Sequence, residues 1–245
     1  MSVVRIIILI IGILLILGSI PLTFGGGTML WVDLTQKDDD GFITTETDQL
    51  ERDSYAIVTE SADIDLDEGW NVAWGWGWNV AWDLGDQVTF KVEGSNNDDP
   101  KGIFIGVAQE SDLMDYLNDV EYDEIIHFRI HSDGFDVAYR NNPGNSSPTA
   151  PTSETFWIES VSGTGIQTLE WELQTGTYSL LLMNEDGSSD VDVNVLVGVK
   201  APWIFGVGIG FVVGGIGWLI GGILLVTFAI RGRFAFRGRQ RSQPS

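Results

Sequence analysis

Two long apolar runs stand at the ends of the chain, and a patterned, strongly polar region separates them. Residues 3–20 read VVRIIILIIGILLILGSI, with Arg5 as their one charge. At the helical rise, these 18 residues reach roughly 27 Å, about the thickness of a bilayer core. Residues 203–230 carry no charge and can span a bilayer with tilt. The pattern predicts a transmembrane helix over 1–24, a domain over 25–200, a second transmembrane helix over 201–230 and a tail over 231–245. A cleaved signal peptide competes for the first run, with Leu17-Gly18-Ser19 as a small-residue site.

Between the runs the pattern is that of short strands. Apolar or alternating stretches recur at 41–45, 55–59, 87–92, 102–107, 124–131, 155–161, 167–173, 177–183 and 191–199, with turn residues between them. In 124–131, Ile126, Phe128 and Ile130 fall on one face, and His127, Arg129 and His131 on the other. Strands at this spacing indicate a sandwich or a Greek-key barrel, and the expected fold is an all-β domain of sandwich or jelly-roll type with one or two short helices. One short helix is expected over 112–119, capped by Ser111. Residues 141–153, NNPGNSSPTAPTS, read as an exposed loop.

Residues 69–83, GWNVAWGWGWNVAWD, hold the hexapeptide GWNVAW twice. At period two, Trp70, Trp74, Trp76, Trp78 and Trp82 share a face with Val72 and Val80, which argues for extended structure. Gly75-Trp76-Gly77 suits the turn of a hairpin. A helix is the alternative, since Trp70, Trp74, Trp78 and Trp82 also recur every four residues. Five indoles offer roughly 1,000 Å² of aromatic surface, more than a monomer leaves contiguous in water. The face therefore belongs to the core, to the membrane interface or to a partner.

Charge gives the helices a direction. All 35 Asp and Glu lie between Asp33 and Asp192, and residues 25–200 hold seven Lys and Arg, so the middle carries a charge near −28. The tail holds Arg231, Arg233, Arg237, Arg239 and Arg241 and no acid. The positive-inside rule puts both termini in the cytoplasm and the acidic domain outside, at the cell membrane. So acidic a domain repels phosphate and excludes nucleic acid as a partner. Its charge suits solubility, a high-salt medium or attraction of cations. With no Cys, thiol and disulfide chemistry are absent.

Candidate chemistry is sparse. His127 and His131 lie about 13 Å apart on a strand and cannot share one metal. No GxSxG, HExxH or P-loop motif occurs, and no catalytic residue is assigned. Asp63, Asp65 and Asp67 have the spacing that opens a calcium loop. Glu68 and Trp74 stand where such a loop needs Gly and Glu, so Ca²⁺ is a weak expectation and no other cofactor is implied. Asn145-Ser146-Ser147 is a glycosylation sequon, with Pro148 just beyond it. Gly206, Gly210, Gly214, Gly217 and Gly221 space small residues for close helix packing, either against the first helix or in a homo-oligomer.

The chain resembles a family of actinobacterial-type membrane proteins with a helix, an external β-sandwich domain and a second helix. The matching stretches are residues 25–33, 40–60, 102–117, 155–165, 171–188 and 200–203. The Trp repeat departs from the family's pattern, where a shorter segment with fewer tryptophans stands. The C-terminal strands also look like small sandwich modules found beside secreted peptidases. The family implies the topology and no activity. The expectation is a non-enzymatic extracytoplasmic binding or assembly domain, whose partners are the lipid bilayer and a second copy or another envelope protein. The rival is a carbohydrate-active or enzyme-accessory domain, which needs two carboxylates about 5–10 Å apart in an aromatic cleft.

Overall fold

The computed structural model describes residues 3–64, 88–98, 100–131 and 134–231. The chain divides into two units, one holding both terminal helices and the other running Lys37–Ala201.

The apolar runs form α1 (Val3–Thr35) and α3 (Trp203–Arg231), both long and apolar enough to cross a membrane. α1 passes the expected boundary at residue 24 and continues through Pro21 to Thr35. Proline removes one helix hydrogen bond, and the Thr23 hydroxyl donates to the Ser19 carbonyl at 2.8 Å nearby. Packing carries the helix onward: a Cβ on Gly26 would stand 2.6 Å from the Gly208 carbonyl oxygen. Further along, Gly12 meets Gly222 and Val226, so the helices run antiparallel.

The buried small residues are Gly12, Ser19 and Gly26 on α1, and Gly208, Gly215, Gly222 and Ala229 on α3. Each set repeats every seven residues. A seven-residue step drifts only about 20° around a helix, so each set stays on one face. The expected packing glycines are not these. Gly206, Gly210, Gly214, Gly217 and Gly221 have open space where a Cβ would sit. Packing of those five against the first helix is thus corrected: their face is turned away from α1.

The other unit is mostly sheet. Twelve strands are described: β1 (Ile43–Thr44), β2 (Asp48–Arg52), β3 (Ala56–Thr59), β4 (Ala62–Ile64), β5 (Thr89–Asn96), β6 (Ile103–Gln109), β7 (Tyr122–His131), β8 (Gly134–Asn142), β9 (Glu159–Gly163), β10 (Gln167–Glu172), β11 (Gly176–Asn184) and β12 (Val191–Lys200). The first sheet runs β1-β12-β5-β10, with β2 pairing β12 beside β1. The second runs β8-β7-β3-β11-β6-β9, with β4 pairing β11 beyond β3. Pairing is antiparallel except between β3 and β7, which the long connection between them allows to run parallel.

One core takes side chains from both sheets. Leu50, Val92, Leu169, Trp171, Val191, Val193 and Val195 come from the first, and Ile57, Ile103, Ile105, Val107 and Leu182 from the second. The second sheet is buried on its other face too. There Ala56, Val58, Phe104, Leu181 and Met183 pack with Leu113 and Leu117. This double burial explains why β3, β6 and β11 read as continuous apolar runs while β10 and β12 alternate.

Leu113 belongs to the short helix α2 (Glu110–Tyr116). Its N-cap is Gln109, with no side-chain cap bond, so the expected cap Ser111 lies inside the helix. Residues 155–158 precede β9 and are not strand. Instead Phe156 and Trp157 stack, with centroids 4.4 Å apart, and both pack against the second core cluster.

On the first sheet's other face, Phe42 is fully buried over the edge of β12, and Gly198 leaves it room. Lys91, 3 % exposed, sits beneath it and pairs with Asp38 and with Glu93 at 3.1 Å. The hydrogen bond from Lys91 is the main cause holding the Asp38 carboxyl below its ordinary range. Gly41 supplies the positive φ that the turn needs.

Candidate functional site

The two sheets meet along two margins that differ in construction. At one, β9 of the second sheet passes to β10 of the first through residues 164–166 alone, so the chain itself closes that side. Trp171 of β10 and Tyr178 of β11 meet edge-on between the sheets, with ring centroids 5.0 Å apart. At the other margin, β2 of the first sheet passes to β3 of the second through residues 53–55, and β2 faces β7 and β8, which lie beyond β3.

This open margin holds a pocket of about 230 Å³. Leu50 and Val195 line it from the first sheet, and Ile57, Leu182 and Phe135 from the second. Thr59, Glu60, His127 and Phe128 stand among the rest of the lining. The register of β7 against β8 slips between Ile125 and His127, a bulge. A bulge turns side chains out of strict alternation. Here it leaves Ile126 40 % exposed and Phe128 41 % exposed beside the pocket. The Phe128 ring lies 4.8 Å from that of Phe135. The expected alternation over 124–131 is therefore broken at Ile126.

β2 shows why the margin stays apart. Its alternate residues are Asp48, Leu50 and Arg52. Leu50 lines the pocket. Asp48 accepts the Phe135 backbone N–H at 3.2 Å. Arg52 donates to Asp123, on β7, at 3.0 Å, and lies 4.5 Å from the centre of the Tyr139 ring. Polar pins thus tie β2 to β7 and β8 on either side of an apolar slot.

Asp123 is only 2 % exposed. Burial pushes its carboxyl up, but hydrogen bonds from Arg52, Ser54 and Asn141 and the Arg52 charge outweigh this and hold it below the ordinary value. Burial likewise pushes the Tyr139 hydroxyl up to about 12, helped by Asp123 and Asp48 and opposed by Arg52.

The slot offers shape and hydrocarbon, and Glu60 and His127 are the ionisable groups of its lining. Glu60 is the one carboxylate among its lining residues. His127 is exposed, with Nε2 3.3 Å from an Arg129 guanidinium nitrogen. No group of three or more His, Asp or Glu able to hold a metal occurs among the described residues.

The sequence-predicted site residues scatter. Asp63 lies exposed on β4 and accepts a bond from Thr177 at 3.4 Å. Asp65, Asp67 and Trp70, Trp74, Trp76, Trp78 and Trp82 lie outside the described residues, as do Arg233 to Arg241. Asn145 is exposed, but its side-chain amide donates to Asp119 at 3.1 Å, and Ser147 of the same sequon bonds Tyr55 at 3.0 Å. The open margin is not foreseen by the sequence pattern, because neither β2 nor β8 is among the strands it predicts. The signal for β8 is Phe135, Val137 and Tyr139 at period two.

No protein-family profile, no curated protein and no solved structure matches this chain.

Proposed function

We propose that this is a two-pass protein of the cell membrane that holds an acidic β-sandwich outside the cytoplasm as a non-enzymatic binding module. The open margin is its binding surface. The observation that carries this reading is the apolar slot between the sheets, flanked by exposed Ile126 and Phe128 and lined by a single carboxylate. A soluble domain seldom opens its core to solvent without using it.

The helix pair supports the topology. Antiparallel packing brings Arg5 and Arg231 to one end, and Trp31 and Trp203 to the other. Arg5 to Trp31 spans roughly 39 Å and Trp203 to Arg231 roughly 42 Å, near the full thickness of a bilayer with its headgroups. Arginine favours the cytoplasmic side and tryptophan the interface. The order of segments resembles the two-helix, external-sandwich family and agrees with this arrangement.

The absence of Cys makes the test clean. Single variants Asn145→Cys and Ser242→Cys are treated in intact cells with an impermeant maleimide. Labelling at 145 alone, with 242 reacting only after permeabilisation, is expected. The reverse pattern would put the domain inside and end the proposal.

A further inference from the structure

We infer that the slot at the open margin takes a hydrocarbon chain with a neutral polar head, the chemistry of an acyl lipid. This names the ligand class for the binding surface proposed above and rests on that reading.

The lining argues first. Aliphatic and aromatic side chains make its interior, with Thr59, Glu60 and His127 as the polar exceptions. An apolar cavity of about 150 Å³ stays dry and binds small apolar molecules such as benzene. This slot is larger, at about 230 Å³, and open to solvent on one side. Water gains no partners from Ile57, Leu182 and Val195, so the interior favours hydrocarbon.

Shape comes next. The slot lies between two sheets, and packed sheets stand about 10 Å apart. Their inward side chains fill most of that gap. The lining runs from Ile125 to Phe128 along one strand, roughly 10 Å. A volume of about 230 Å³ drawn out along that strand suits a chain better than a fused ring.

Charge selects the head. The unit Lys37–Ala201 holds 34 acidic residues against seven basic, so an anionic amphiphile meets a repulsive field. Glu60 can accept and His127 can donate a hydrogen bond to a hydroxyl or ester beside the slot. Supply comes from the chain itself: two helices able to cross a membrane keep the protein among lipids.

The test is a titration of the full-length chain in nanodiscs with straight-chain 1-alkanols from butanol to dodecanol, read by methyl NMR. Saturable shifts at Ile57, Ile125, Leu180 and Val197 are expected. Affinity should tighten about fourfold per added methylene, the worth of one buried CH₂ at about 0.8 kcal/mol, and level off once the slot is full. Methyls of α3 report partition into lipid, which does not saturate. Val197→Phe, and separately Leu180→Phe in case the first fails to fold, should weaken binding at least tenfold. Ile166→Ser, in the turn of the closed margin, should leave it unchanged. An affinity indifferent to chain length, or untouched by both filling variants, overturns the inference. If the same methyls ignore every alkanol but respond to a soluble glycan or peptide, the ligand class fails and the binding module stands. Silence toward all of them overturns both.

Discussion

The two margins of the sheet domain are each crossed by a three-residue link, but the groups that hold the sheets beside them differ. At the β9–β10 margin three residues carry the chain across, and Trp171 of the edge strand β10 reaches between the sheets to Tyr178 of β11. At the β2–β7–β8 margin residues 53–55 carry the chain across to β3, and charged and polar groups hold β2 to β7 and β8 beyond it at fixed points. Apolar closure fills the space between sheets. Polar pinning fixes the spacing without filling it. A slot is what remains between Asp48 and Arg52, and Leu50 marks its place.

The largest test of this contrast is packing loss on the filled side. Ile105 is fully buried in the shared core. Ile105→Ala should cost about 3–4 kcal/mol in urea unfolding followed by circular dichroism. A cost below about 1 kcal/mol would mean that this side is as loose as the other.

Removing a pin comes second. Asp123→Ala leaves Arg52 without its partner and should cost about 3 kcal/mol, the low end for a buried pair because Arg52 is 35 % exposed. The same pair predicts a pH response. The Asp123 carboxyl titrates lower folded than its ordinary 3.8. Its contribution is therefore complete above that value and is lost as pH falls through the lower, folded one. Acid unfolding of Asp123→Asn should lack this component, and an identical acid limb in both proteins would contradict the pin.

Truncation beside the slot should be milder than on the filled side. Leu180→Ala, at a half-buried lining position, should cost about 1 kcal/mol by the same unfolding measurement. The smallest effect belongs to Phe128→Ser, which should stay within about 0.5 kcal/mol in stability because the ring is 41 % exposed. Its binding of alkanols should nonetheless fall.

The parts of the fold that bury a regular pattern are legible in the sequence. GIFIGV at 102–107 and SLLLM at 179–183 announce buried strands, since both faces of their sheet are covered. β2 is not legible because DQLER has one apolar residue. Asp48 and Arg52, the pins, replace the alternation that marks a strand. In β7 the bulge at Ile126 breaks the count by one. The glycines mislead for a geometric reason. Steps of four drift about 40° around a helix, and they lead to a face that α1 does not meet. Steps of seven, from Gly208 to Gly215 to Gly222, mark the face that does. Of the open margin, the sequence marks Ile126, His127 and Phe128 as strand residues but not as lining of one slot. Pins and slot arise from strands brought together across the sequence.

The most direct test of the open margin as the binding surface is site-specific photocrosslinking in native membranes. A benzophenone amino acid replaces Phe128 at the open margin, and in a second protein Ile166, which is 73 % exposed in the turn of the closed margin. A discrete adduct from position 128, absent from 166, is the predicted result. Equal adducts from both positions, or an adduct from 166 alone, would contradict it.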